Sequence, residues 1–96
     1  MSFTQTHETQ ATLKECLREL THAIGSHDFE VTGDKIVVRD EGKRVVMDLI
    51  YEGDRRLGSL ELPMMRINFE FVGYTKDEMD AFMKRLSAHL MRAGGG

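Results

Sequence analysis

Ninety-six residues, 41% hydrophobic and 30% charged, with a net charge of -3, describe one ordinary globular domain. The mixed charge excludes a broad electropositive field for nucleic acid or acidic lipid. The single cysteine excludes an internal disulfide framework and fits a reducing compartment.

No apolar run approaches the roughly 20 residues that cross a bilayer, and MSFTQTHETQ lacks the basic and apolar regions of a signal peptide. The expected location is the cytoplasm, with no membrane partner. The expected architecture is a single α+β domain over 1–96, with residues 1–8 flexible and 94–96 a flexible tail. It has an N-terminal helix, a four- to five-stranded antiparallel meander sheet and a C-terminal helix. Both helices lie on one face of the sheet.

From Thr9 onward, Leu13, Cys16, Leu17, Leu20, Ala23 and Ile24 recur at three- and four-residue steps and predict a helix ending at Gly25. Ser2 with Gln5 and Thr6 with Thr9 are alternative caps, so the start of this helix is open. Phe29 and Val31, then Ile36 and Val38, alternate around a turn at Thr32-Gly33-Asp34. Glu41-Gly42 reads as a two-residue hairpin loop that pairs Asp40 with Lys43, Val38 with Val45 and Ile36 with Met47.

Gly53-Asp54 is the next expected turn. It would set Met47 against Leu60, Val45 against Leu62 and Leu49 against Gly58, inward row to inward row. Pro63-Met64 is harder, because proline cannot take the positive φ asked of the first residue of a primed hairpin turn. A hairpin, a longer loop, or a bulge in one long strand from Arg56 to Val72 all fit. The last of these would be long enough to reach a second subunit. The expected inward face carries Ile36, Val38, Val45, Met47, Leu49, Leu60, Leu62, Met65, Ile67, Phe69 and Phe71. A C-terminal helix follows from the capping-box spacing of Thr75 and Glu78 and the stripe Met79, Phe82, Met83, Leu86, Leu90 and Ala93.

Chemical constellations are sparse. His7, His22, His27 and Cys16 gather near the first helix without the spacing of a metal site, and no metal or cofactor is expected. Ser59, expected mid-strand beside Asp48 and Asn68, has no histidine near it, so no nucleophilic triad forms. No glycine pattern matches a phosphate loop. Gly94-Gly95-Gly96 resembles the tails of ubiquitin-like and sulfur-carrier proteins. Those tails leave a final strand, whereas this one follows a helix and reads as a helix stop.

Nucleic-acid binding through a sheet wants exposed aromatics, and Phe69 and Phe71 point inward by parity. The outer sheet face mixes charge with the expected pairs Val37–Val46 and Ile50–Leu57. Met64 sits in an apolar turn, where loop tips are normally polar. These features point to a non-catalytic protein–protein interaction or accessory module, homodimeric through the outer sheet face (Val37, Val46, Ile50, Leu57) or the Pro63-Met64 segment. The alternative is a binder of a small anionic ligand, or an enzyme, using Arg39, Arg44 and Arg66 with His27 or His89.

Overall fold

The computed structural model describes residues 2–25 and 28–93. The fold is α+β, with two helices and a five-stranded antiparallel sheet. In chain order the elements are β1 (Ser2–Thr9), α1 (Leu13–Ile24), β2 (Asp28–Thr32), β3 (Lys35–Asp40), β4 (Lys43–Leu57), β5 (Leu60–Val72) and α2 (Lys76–Ala93). The strands lie in the order β1-β5-β4-β3-β2. His27 and the 94–96 tail lie outside the described residues.

Of residues 1–8, expected to be loose, residues 2–8 instead belong to an edge strand. Ser2 to Thr9 pair with Val72 to Met65 along the whole of β1. Phe3 is the one large apolar residue in this stretch, and it packs against the core. One such residue is too few to make an alternating pattern, while Thr4, Thr6 and Thr9 suit an extended backbone. The helix begins later than either expected cap. Thr12 is the N-cap: its hydroxyl accepts from the Glu15 amide at 3.2 Å, and its own amide donates to the Glu15 carboxylate at 3.1 Å. That reciprocal pair satisfies two of the amides a helix start leaves unpaired.

The β3–β4 hairpin has the expected register, with Ile36 opposite Met47, Val37 opposite Val46 and Val38 opposite Val45. Its loop residues Glu41 and Gly42 both have positive φ, 45° and 81°, as a type I′ turn requires.

Past Met47 the register departs from expectation. β4 does not turn at Gly53-Asp54 but runs on to Leu57. The turn is Gly58-Ser59, with Gly58 at φ 63° in the first central position. β5 then passes straight through Pro63 and Met64, so these residues lie in one long strand and not in a hairpin loop. Met47 therefore meets Phe69, Val45 meets Phe71 and Leu49 meets Ile67. This pairing sets the most apolar run of the chain directly against the alternating one. Leu60 and Leu62 are not opposite Met47 and Val45, and they leave the core. An irregularity between Tyr51 and Asp54 on β4 absorbs one extra residue, with Gly53 at φ 94°.

The core lies on one side of the sheet. Ile36, Val38, Val45, Met47, Leu49, Met65, Ile67, Phe69 and Phe71 are at most 2% exposed, and Cys16, Leu20, Ile24, Met79, Phe82 and Leu86 of the two helices complete the cluster. Phe71 meets Tyr74 and Phe82 edge to face, at 5.3 and 5.5 Å between ring centres. Thr75 caps α2 with Glu78 as the sequence predicts: the Glu78 amide donates to the Thr75 hydroxyl at 3.2 Å, and the Thr75 amide donates to the Glu78 carboxylate at 2.9 Å.

Candidate interaction surface

β4 and β5 outrun their neighbours. β3 pairs with β4 only as far as Asp48, and β1 pairs with β5 only as far as Met65. Beyond these points residues 51–64 form a two-stranded arm whose edges are open on both sides among the described residues. The molecule measures 47 × 22 × 20 Å, and the arm accounts for its elongation.

The irregularity at the arm's base decides which way its side chains point. Successive residues of a strand alternate between faces, so an extra residue reverses the parity of everything after it. On β5, Arg66, Met64, Leu62 and Leu60 share the outer side, away from the helices. Ile50 pairs with Arg66, Arg55 with Leu62, and Leu57 with Leu60. Ile50 and Leu57, an even and an odd residue, thus stand on the same side. The result is an apolar stripe of Ile50, Met64, Leu62, Leu60 and Leu57 along the outer face, broken by Arg55. Leu60 is 62% exposed, Leu57 48% and Ile50 37%. The opposite face of the arm is polar and internally paired. The Tyr51 hydroxyl donates to Asp54 at 2.6 Å, and Arg56 meets Glu61 at 2.8 Å.

At the base of the arm, Arg66 lies 3.4 Å from Glu52 and directly opposite Glu8 of β1. Glu52 shares a hydrogen bond with the Glu8 carboxyl, which raises its pKa against the opposing pull of Arg66. The far end of the sheet is fastened differently. The Lys43 ammonium meets Glu78 at 2.7 Å and lies 5.1 Å from the centre of the Tyr74 ring, joining the β3–β4 hairpin to the start of α2. Lys43 and the Thr75 cap together hold the Glu78 carboxyl down at about 2. The hollow beside it, about 300 Å³, is lined by Val38, Asp40, Tyr74, Phe82 and Arg85 as well as this ion pair.

No family model and no curated protein matches this chain.

The expected surface residues divide as follows. Val37 and Val46 face each other on the outer side of the main sheet, both half-buried. Ile50 pairs with Arg66 and Leu57 with Leu60, so the expected Ile50–Leu57 pair does not form, although both residues stand on the outer side. Met64 lies within β5, between them and half-buried. Leu60 and Leu62, expected in the core, belong to the surface stripe. Sequence reasoning missed them because it placed the turn five residues early. The signal was available in Pro63, which resists a primed turn, and in Gly58-Ser59, which suits one.

The three arginines expected to hold an anion are not brought together. Arg39 and Arg44 are opposite each other at one end of the sheet, and Arg39 lies 3.4 Å from Glu30 of β2. Arg66 pairs with Ile50, six residues along β4 from Arg44 and so about 20 Å away. Ser59 sits in the turn at the arm's tip, far from the Asp48–Asn68 pair it was expected to join. His7 is on β1, His22 on α1, and His89 on α2 with its Nδ1 3.7 Å from Glu19. Cys16 is buried in the core, and that burial pushes its thiol up to about 11. A thiol so placed is a core hydrophobe, not a nucleophile. Among the described residues no three histidine, cysteine or acidic side chains form a metal-holding group, and no helix is long and apolar enough to cross a membrane.

Proposed function

We propose that this protein is a non-catalytic interaction module that associates with a second copy of itself through the outer side of its sheet and arm. The observation that carries the reading is the apolar stripe on the arm, with Leu57 and Leu60 standing in water. An isolated two-stranded ribbon is marginal in water, because it has no layer to bury an apolar face against. This arm has such a face, and among the described residues nothing of its own chain lies over it. Contiguous exposed apolar surface rimmed by polar groups marks protein contact sites. The rim here is Arg55, Glu52 and Arg66.

Sedimentation velocity from 1 to 100 μM tests the reading. A dimer that dissociates on dilution is the expected result. A monomer throughout counts against it, and a Leu57→Ser, Leu60→Ser double variant is expected to remain monomeric while keeping the wild-type circular dichroism spectrum.

A further inference from the structure

We propose that the two copies clasp each other reciprocally, with the arm of each lying along the outer sheet face of the other's body. This rests on the self-association argued above and specifies its geometry. Three features of the chain support it.

Length is the first. Along β5 there are six steps from Arg66 to Val72 and six from Arg66 back to Leu60, so the sheet body and the arm beyond it each extend about 20 Å. A two-fold axis near Ile50 and Arg66 lays one arm over one body without overhang, and a two-fold contact uses the same patch on both copies.

The second feature is that strand addition at the arm's edges is obstructed, so a partner meets the arm by its face. In a two-residue hairpin the flanking pair, here Leu57 and Leu60, exchanges both backbone hydrogen bonds, and pairs then alternate. Asp54–Pro63 is therefore a pair without ladder bonds, and the Pro63 nitrogen faces the open edge of β5 with no hydrogen to donate. On the other side the irregularity at Glu52 and Gly53 interrupts the open edge of β4. Proline and bulges are the devices that protect sheet edges from strand addition.

The third is complementarity. Rotation about the proposed axis carries the Arg55–Leu62 row over the Val46–Glu70 row, and Leu57–Leu60 over the Arg44–Val72 row. The body's outer face has a hollow of about 350 Å³ there, lined by Thr4, Thr6, Val46, Asp48, Asn68 and Glu70. Asp48 of this lining lies 3.6 Å from Lys35, so Glu70 is the carboxylate that suits the guanidinium of Arg55, the charge that interrupts the arm's apolar stripe. The floor of the hollow at Val46 accepts a leucine. Two sheets packed face to face with strands within about 30° of each other satisfy both contacts.

Charge exchange tests the clasp. Arg55→Glu and Glu70→Arg are each expected to weaken the dimer by about tenfold or more, because each sets like charges against each other. The double variant restores affinity to within about threefold of wild type, as coupled partners do in a mutant cycle. Cysteine cross-linking supplies an independent readout. Arg55→Cys with Glu70→Cys in one chain forms an intermolecular disulfide under mild oxidation, and neither single variant does. A dimeric wild type whose double charge variant is no tighter than the singles overturns the clasp and leaves self-association standing. So does a disulfide from Arg55→Cys alone, which means arm packed on arm. A wild type that is monomeric at 100 μM overturns both.

Discussion

The same two strands behave as two different objects on either side of Tyr51. Toward the helices, residues 43–50 of β4 and 65–72 of β5 are central strands. Each is flanked by another strand and covered on one face by α1 and α2, and the inward side chains of 45–49 and 65–71 are at most 2% exposed. Beyond Tyr51 the same hairpin has, among the described residues, no neighbour on either edge and no cover on its apolar face. Backbone pairing resumes beyond the irregularity at the arm's base and runs on to Leu57 and Leu60, so a lack of pairing is not what distinguishes the arm. The difference is burial. A strand pair becomes a stable layer when its apolar row has something to press against. The arm carries such a row without its counterpart, whereas in the body the row and its cover are in the same chain.

The contrast has direct consequences for substitutions. Phe71→Ala removes a ring that touches Phe69, Tyr74 and Phe82 at the centre of the covered region, and it is expected to lower stability by about 3–5 kcal/mol. Urea unfolding at low protein concentration measures this. A loss under about 1.5 kcal/mol, the range of a mild apolar swap, means the core is not centred where α2 meets β5. Thr75→Ala acts at the edge of the same region. It removes the hydroxyl that accepts from the Glu78 amide, and about 1 kcal/mol is the ordinary cost of a lost N-cap.

The two ends of the hairpin also answer acid in opposite senses. Glu78, beside the β3–β4 loop, is held at about 2 against an ordinary 4.5. A lowered carboxyl stabilises the fold above its ordinary value, and that contribution is lost as pH falls from 4.5 through about 2. Glu52, at the base of the arm, is raised by the hydrogen bond it shares with Glu8. A raised carboxyl favours the folded state while protonated and forfeits this as pH rises through its folded value. Melting temperatures from pH 2 to 7 distinguish them. Glu78→Gln lowers the neutral plateau and flattens the acid limb, whereas Glu52→Gln leaves the acid limb in place and raises the plateau slightly. The two shifts moving together would mean that the ends of the sheet are not independent.

Legibility in the sequence followed the same division. The covered elements announced themselves: the helical stripes from Cys16 to Ile24 and from Met79 to Leu86, the Thr75 and Glu78 box, the Glu41-Gly42 turn and the parity of residues 45–49 and 65–71 all hold. Each has a large apolar row on one side, and that row is the signal sequence patterns carry. The edge strand β1 did not, because SFTQTHET has too few apolar residues to show a period. The arm misled for a more specific reason. Gly53-Asp54 and Gly58-Ser59 are both turn pairs, and either one brings apolar residues opposite apolar residues. The first sets Leu60 and Leu62 against Met47 and Val45, with Phe69 and Phe71 inward on a further strand; the second sets Phe69 and Phe71 against Met47 and Val45 and leaves the leucines outside. Only the second buries two phenylalanines against β4, and choosing it requires comparing whole registers, not single turns. Reading leucine as core by default hid the surface row.

That row makes the smallest effect the most informative. Leu60→Ser changes a residue 62% exposed in the turn-proximal pair of the arm. Within one copy it touches no core residue, so the monomer's stability is expected to stay within about 0.5 kcal/mol of wild type, as for surface substitutions away from caps and cores. Measured at submicromolar concentration, the urea midpoint and slope should therefore superimpose on wild type. At 50 μM they should not, because a dimer gains apparent stability by mass action and the variant forfeits that gain. A concentration-dependent wild-type midpoint beside a concentration-independent Leu60→Ser midpoint places the missing cover of the arm on another copy. If Leu60→Ser instead destabilises the dilute monomer as much as Thr75→Ala does, the arm is already covered by its own chain, and the contrast between the two halves of the hairpin fails.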